Sequence, residues 1–585
     1  MAYSRVEKGY RRERVLKMLC LRILCLFLIA PGVICAQSGP EKVDSSPNNS
    51  DVATELKTLR EALVQTQKQV AAQQQEIESL KARSNADSLS ASNQLSSTEG
   101  EASGPDSESA SIQPASVQTT AYVRQQPTQQ DGQEKAQSPI QGFKIGDAVL
   151  TPGGFVDFEN IFRTTNTQSN IATSFATIPY GNTPQGNISE FRTTAQYSRL
   201  NLMIKDKYRG AEIIGYVEGD FSGNDAPSVY QSVNQHTNRL RLYFGDSRRG
   251  KWEFLGGQTW SWMTPNRTGI GPIPADLAIT YNEDQNIGVG LPYTRAAEFR
   301  VAYHANEHWA MGVGIENPNQ FIGTFVALPA AFTSIGPQFD NGSQIGAANA
   351  FPDILSKITY DRDFSGRHFH AEAVGLINGA HATVKPVGED SFKQHSAVGG
   401  GGDFAANYEL LPKLVLLGNI FWSDGGAHYL VATGPQLVVR PNLAGTDISL
   451  SMVHAGAASA GIEWRATDKQ AFAVYYGADY FGRNFFPDTT NTAEPGTIIG
   501  YGGPGSPNTN NRAIQQATFD WLQTFWKDTR YGAVQSYIQY SYLTRAPWFV
   551  APDAPKNAHL SMVYFGIRYV LPSTSGTLLR VPYPN

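Results

Sequence analysis

Two hydrophobic periods divide this chain. Between residues 56 and 80, Leu56, Leu59, Leu63, Thr66, Val70, Gln73, Ile77 and Leu80 recur at alternating spacings of three and four. That is a heptad with Leu56, Leu63, Val70 and Ile77 at a, and Leu59, Thr66, Gln73 and Leu80 at d. So narrow an apolar stripe buries only against another helix of its kind, and the intervening Glu, Gln, Lys and Ala are good helix formers. The spacing predicts a short α-helical coiled coil over 51–84. From about Gly142 the period changes to two. Val156, Phe158 and Phe162 alternate with Asp157, Glu159 and Arg163. Leu200, Leu202 and Ile204 alternate with Arg199, Asn201 and Lys205. Leu240, Leu242 and Phe244 alternate with Arg239, Arg241 and Tyr243, and Phe299, Val301 and Tyr303 with Glu298 and Arg300.

Those four segments (155–163, 199–205, 239–244, 298–303) are joined by twelve more of similar pattern: 212–221, 252–260, 308–316, 353–361, 368–377, 401–409, 413–423, 453–465, 471–481, 515–526, 533–544 and 559–570. Segments of roughly ten residues suit strands tilted across a bilayer. Aromatics gather toward segment ends, as in Tyr537, Tyr540, Tyr542 and in Trp521, Phe525, Trp526. Short turns near Asp206–Arg209 and Asp246–Gly250 alternate with long Gly/Pro/Asn-rich loops at 164–190, 261–292, 317–350 and 482–511. The fold class expected is all-β: a transmembrane antiparallel β-barrel of about 16 strands, preceded by the coiled coil.

The leading residues look like an address. Arg11, Arg12, Arg14 and Lys17 precede an apolar run from Leu19 to Ile34, and Ala36 closes it. A basic stretch, a short apolar core and a small residue form a secretory signal, with cleavage expected after Ala36. Met18 opens a compact signal by itself, so translation starting there is a second reading. Residues 85–140 are Ser, Gln, Ala, Gly, Pro and Thr with no apolar period, and read as a flexible linker. The expected organisation is a signal peptide over 1–36, a periplasmic coiled coil over 51–84, the linker over 85–140, and an outer-membrane barrel over 141–585.

Charge and chemistry narrow the function. Charged residues make up 17% of the chain and the net charge is −5, which excludes the concentrated basic face a nucleic-acid binder needs. Cys20, Cys25 and Cys35 all lie in the signal, so the mature chain has neither disulfides nor thiolate metal sites. His368 and His370 share a strand face but have no third ligand nearby in sequence. Gly399–Gly402 lacks the Lys-Ser/Thr and helix of a phosphate loop and reads as a turn. No G-x-S-x-G nucleophile motif is present. No enzyme, cofactor or metal is expected.

The order of signal, coiled coil, polar linker and barrel resembles the DcaP-like family of trimeric outer-membrane porins. Within the barrel the likeness rests on Gly154-Phe155-Val156-Asp157, Ser198-Arg199-Leu200-Asn201, Gly257-Gln258-Thr259-Trp260-Ser261, Pro352-Asp353 and Arg568-Tyr569-Val570-Leu571-Pro572. One departure stands out: a tail, Pro572–Asn585, follows the aromatic-rich last strand, where an aromatic terminus is usual. The resemblance implies passive uptake of small, mostly anionic solutes such as dicarboxylates and aromatic acids. It also implies a homotrimer in outer-membrane lipid, with the third long loop folded into the lumen. Alternation puts Arg199, Arg239, Arg241 and Arg300 on the polar, inward face, as a basic wall opposite Asp276, Glu283 and Asp284 of that loop. The opposing reading is that each arginine pairs with a neighbouring acid: Asp157, Glu159, Glu218 or Asp220. Two other functions remain open: a sugar channel with an aromatic track at Trp260 and Trp262, and a structural anchor working through coiled-coil contact with the periplasm or cell wall.

Overall fold

The computed structural model describes residues 142–169, 171–223, 236–271, 288–342, 349–431, 433–528 and 530–572. The signal, the heptad over Leu56–Leu80, the linker, the tail from 573 onward, and Asp276, Glu283 and Asp284 lie outside the described residues.

Among the described residues sixteen long strands form the wall in chain order: β1 (Ala148–Arg163), β2 (Arg199–Tyr208), β3 (Ala211–Asp220), β4 (Arg239–Arg249), β5 (Trp252–Trp260), β6 (Arg295–His304), β7 (Trp309–Glu316), β8 (Asp353–Phe364), β9 (Arg367–Val384), β10 (Lys393–Leu411), β11 (Leu414–Asp424), β12 (His454–Trp464), β13 (Gln470–Phe481), β14 (Asn511–Asp528), β15 (Gly532–Pro547) and β16 (Ala558–Val570), and two short strands, Phe143–Ile145 and Glu190–Thr194, pair on β1. Each long strand pairs antiparallel with the next, and β1 closes the sheet on β16 from Phe155 opposite Val570 to Arg163 opposite Met562. Closure leaves no unpaired edge, which is the condition for a sheet to stand in lipid. All sixteen segments of period-two patterning are strands. Several run longer than their alternation: β9 continues to Val384 and β10 begins at Lys393.

The alternation is realised as apolar outside and polar inside. On β1, Val156 and Phe158 are exposed outward, while Asp157, Glu159 and Arg163 are buried within. The last strand turns Phe565, Ile567 and Tyr569 outward. Aromatics form a girdle at the short-turn end, where Trp252 meets Tyr303 at 4.9 Å and Trp309 meets Tyr360 at 4.6 Å between ring centroids. Trp526 and Phe525 both face outward because the register slips between Thr524 and Trp526. Tyr537 does not join the girdle. It points inward, fully buried, with its hydroxyl 3.2 Å from Asp157 Oδ1. Gly399–Gly402 is no turn either. It lies inside β10, and a Cβ at Gly401 would stand 2.3 Å from the Trp422 carbonyl oxygen on β11.

Two-residue turns such as Arg209–Gly210 join strands at one end, and long loops join them at the other. Loop 4 (317–352), loop 6 (425–453) and loop 7 (482–510) build structure of their own. Leu437–Pro441 pairs with Ile448–Met452 in loop 6, and Asn484–Pro487 with Ile498–Tyr501 in loop 7. Phe332, Ile335 and Phe339 of loop 4 pack on Ala380, Ala382 and Val384 at the top of β9 and on Leu437 and Val439. That burial explains why β9 extends past its alternating segment: its upper end is covered by loops and no longer needs one polar and one lipid-facing side, and the start of β10, itself largely exposed, pairs with it.

Candidate functional site

The four arginines expected to line the lumen all point inward, and three of them meet. Arg199 on β2, Asp220 on β3 and Arg239 on β4 lie side by side in register, giving a row of alternating sign. Arg199 opens β2, Asp220 ends β3 and Arg239 opens β4, so the row stands at the loop-side ends of these strands, level with Phe155 about half-way along the longer β1. Arg239 holds Asp220 through both ends of its fork, at 2.9 and 2.7 Å. Such bidentate pairing is the geometry the guanidinium favours.

Arg241 departs from the alternation. Register slips between the Glu218–Leu242 and Gly219–Leu240 pairs, so Arg241 is an extra residue on β4. A bulge of this kind re-aims a side chain and reverses the faces beyond it. Leu240 is therefore outside while Leu242 and Phe244 are inside, contrary to the single apolar face their spacing suggests. The bulge lets Arg241 reach two acids at once, Glu218 at 2.9 Å and Asp220 at 3.0 Å. Arg199 lies 3.6 Å from Glu218. Three arginines against two carboxylates leave one formal unit of positive charge, so pairing with acids and a basic wall coexist here.

Arg300 stands apart. Through β5 it lies level with Leu255 and Asp246, nearer the short-turn end, 3.7 Å from Glu298 and 5.3 Å above the Trp262 ring. Arg568, not among the expected site residues, joins the row. Its guanidinium lies 4.2 Å from the Phe155 ring centroid and 2.5 Å from Asp157 Oδ2, and Arg199 flanks the same ring at 5.3 Å. Its signal was present in the outward Phe565, Ile567 and Tyr569, which force the residue between the last two inward.

The two described legs of loop 3 (261–294), residues 261–271 and 288–294, run inside the barrel. On its outgoing leg, Lys357 of β8 donates to the Trp262 carbonyl at 3.1 Å and pairs with Glu372 at 2.9 Å. The Asn266 and Gly269 amides donate to Glu372 and Asp361, at 3.1 and 3.0 Å. Arg267 forks onto Glu463 of β12. The returning leg lies against another part of the wall. Val289 N–H donates to Gln516 at 2.9 Å and Gly290 N–H to Asp479 at 2.8 Å. The acids Asp276, Glu283 and Asp284 fall between these two legs, outside the described residues.

The histidine pair belongs to this fastening. His370 is buried, with Nδ1 2.9 Å from Asp361 and Nε2 3.1 Å from Glu372, and His368 Nε2 lies 3.3 Å from the Arg267 carbonyl. Both nitrogens of His370 are engaged by carboxylates. Among the described residues no group of His, Asp and Glu has the arrangement to hold a metal ion.

This architecture is similar to the crystal structure of the outer membrane channel DcaP of Acinetobacter baumannii, at a TM-score of 0.50 and 16% identity, over 74% of this chain and 100% of that one. The barrel has the DcaP-like porin fold. Lower similarity extends to an anion-selective porin from Comamonas acidovorans, at a TM-score of 0.40 and 13% identity over 72% of this chain and 100% of that one. It extends also to OprB of Pseudomonas putida, at 0.38 and 10% over 72% of this chain and 94% of that one. The sequence matches no family model and no curated protein.

In this DcaP-like barrel, Trp260 and Trp262 belong neither to the lipid-facing girdle nor to an open stacking track. Trp260 is packed by Tyr293 at 4.0 Å and flanked by Arg295 at 5.1 Å and Arg241 at 5.8 Å. Trp262 is 2% exposed, and a Cβ on Gly312 of β7 would stand 2.5 Å from its ring. Both tryptophans are wedges that seat the first residues of loop 3.

Proposed function

We propose that the chain is an outer-membrane porin through which small hydrophilic anions diffuse, working as a homotrimer with its N-terminal heptad in the periplasm. The observation that carries this reading is the row Arg199–Asp220–Arg239, with Arg241 beside it, on the lumen wall at the loop-side ends of β2, β3 and β4 in a closed sixteen-strand barrel. A ring of arginines is a filter for anions and phosphates. Carboxylates are the natural cargo, because a guanidinium fork matches two oxygens. Dicarboxylates and aromatic acids fit best, the latter because Arg199 and Arg568 already sandwich an aromatic ring at Phe155. The excess positive charge is small, so the filter favours anions without trapping them, as diffusion requires.

A sugar channel is disfavoured because Trp260 and Trp262 are both buried and so offer no open stacking surface. A mere anchor is disfavoured because loop 3 is fixed by charged side chains from several strands, which a filled anchor does not need. The test is the purified protein in a planar bilayer under a KCl gradient. The expected result is an open-pore current whose reversal potential shows anion preference and which succinate partly blocks. A cation-selective pore overturns the anion reading, and the absence of any current overturns the porin reading.

A further inference from the structure

Loop 6 leaves β11 at Asp424 and sends a short helical turn, Ala427–Leu430, back into the lumen. Tyr429 is 1% exposed, with its hydroxyl 3.1 Å from Asp353 Oδ2 and 3.2 Å from Glu316 Oε2. His428 Nε2 lies 2.9 Å from the same Asp353 oxygen. Asp353 begins β8 and Glu316 ends β7, three and four strands around the wall from β11, so the loop passes along the inside of β9 and β10 to reach them. On its way out, the Thr433 hydroxyl donates to Asp479 of β13 at 3.3 Å. Gln436 and Phe321 of loop 4 exchange two hydrogen bonds, at 2.7 and 2.6 Å. Loop 3 joins through Tyr293 N–H, which donates to the Tyr429 carbonyl at 3.0 Å.

The anchoring row gives this contact its force. Glu298, Glu316 and Asp353 are directly opposed on β6, β7 and β8, all inward and buried. Adjacent like charges destabilise a sheet, and buried carboxylates are costly unless donors meet them. The groups facing this row include Arg300, Lys357, the Ser261 hydroxyl, the Trp262 amide at 3.1 Å from Glu316, and the two side chains from loop 6. Loop 6 thus supplies hydrogen-bonding partners to a strip that open water would otherwise have to solvate. Beneath it, Ala427 and Leu430 pack in one cluster with Leu355, Val374 and Leu376 of the wall, which seals that side.

We infer that loop 6 is a second constriction element, folded inward over β8–β10 and clamped there by Tyr429 and His428, and that it sets the pore's size limit. Permeation is then confined to the side where Arg199, Arg239 and Arg241 stand. The inference rests on the porin reading. Its residues, Tyr429 and His428, differ from those proposed to select charge.

Two variants test it, each compared with wild type for single-channel conductance and for the largest polyethylene glycol that enters. Tyr429→Phe keeps the ring and removes the hydroxyl. His428→Cys with Asp353→Cys removes the clamp and lets a bifunctional thiol reagent rebuild it, since the chain's own cysteines, Cys20, Cys25 and Cys35, all precede the barrel. Both should raise conductance, on the order of twofold for the double variant, and admit a larger polymer, because releasing a constriction widens the conducting path. Cross-linking should return the double variant to the wild-type value, and reduction should release it again. Unchanged conductance and polymer limit in both variants, or indifference to the cross-linker, overturns the inference. A wild-type barrel with no current instead overturns the porin reading on which it rests.

Discussion

Arg241 and Leu242 are consecutive, yet both side chains face the lumen. In a regular strand that is impossible, since neighbours point to opposite sides. The bulge that permits it does two things together. It swings a guanidinium between Glu218 and Asp220, and it turns Leu242 and Phe244 inward, where Phe244 stacks on Tyr216 at 5.5 Å. The charged row therefore rests on a small apolar floor, which holds it rigid.

Arg239 and Arg241 should respond differently to removal, because their burial differs. The Arg239 side chain is 28% exposed and Arg241 only 1%. Arg239→Ala removes one cation while Arg241 still holds Asp220, so the reversal potential should move toward cation preference with little change in stability. Arg241→Ala takes a fully buried guanidinium from both Glu218 and Asp220, leaving them to Arg199, Tyr216 and Arg239; loss of a buried partner costs up to about 3–5 kcal/mol, and should lower the temperature at which the barrel unfolds in detergent. If Arg239→Ala leaves selectivity untouched, or if Arg241→Ala unfolds no earlier than Arg239→Ala, this account of the row is wrong.

Much of this fold was legible from alternation alone, and the failures share one cause. Strand identity needs only a local period, and every period-two segment is a strand. The face of Leu242 was misread because a bulge leaves no mark in a pattern of apolar and polar letters. Tyr537 was misread because a tyrosine with a buried carboxylate partner looks, in sequence, like a girdle tyrosine. Loop 6 was not legible at all. His428 and Tyr429 find Asp353 and Glu316 some 75 or more residues upstream, and no local spacing reports such a contact. Arg568 was readable from the outward residues on either side, whereas its pairing with Asp157 depends on closure of the first strand on the last.

Arg545 should control the outer loops. It donates to the Ile178 carbonyl in loop 1 (164–198, between β1 and β2) at 2.6 Å and to the Asn508 carbonyl in loop 7 at 2.7 Å, and it stacks 4.5 Å from the Tyr180 ring. Replacing it with alanine leaves two carbonyls without this donor, a loss of about 2–3 kcal/mol felt locally. Limited proteolysis of intact barrels should then cut within loops 1 and 7 faster than in wild type, with the barrel itself protected. Arg545→Lys should rescue only in part, since one ammonium cannot span both loops as the fork does. Equal cleavage rates in Arg545→Ala and wild type would count against the tie.

Gly477 should be needed for loop 3 to close its circuit. The returning leg lies directly on β13 there, and a Cβ at Gly477 would stand 1.7 Å from the Val289 carbonyl oxygen. No rotamer relieves that overlap, since backbone meets backbone. Gly477→Val should therefore lift Val289 and Gly290 off the wall and break their bonds to Gln516 and Asp479. The strand is compatible with valine, so the barrel should still assemble. Single-channel records should show a larger and noisier current. A quiet, wild-type trace would mean that the returning leg is not what narrows the pore.

The N-terminal quarter should be separable from conduction. Its sequence reads as a signal, a heptad and a polar linker, and each carries a distinct expectation. Mass spectrometry of the protein from outer membranes should find Gln37 as the first residue, because Ala36 closes the basic-then-apolar signal pattern. The heptad, Leu56 to Leu80, should be parallel, since identical barrels in one membrane tether every copy by the same end. A chain of the linker's length and composition would span ~40 Å root-mean-square, far enough that the coil need not touch the barrel. Deleting residues 37–140 should accordingly leave a barrel that closes by β1 on β16 and still conducts as a trimer, with packing between barrels as the main interface. Size-exclusion chromatography with light scattering, followed by bilayer recording of the same fraction, decides it. A monomeric product would place the assembly determinant in the heptad instead, and the seam residues Leu56, Leu63, Val70 and Ile77 would then become the positions at which trimer formation is controlled.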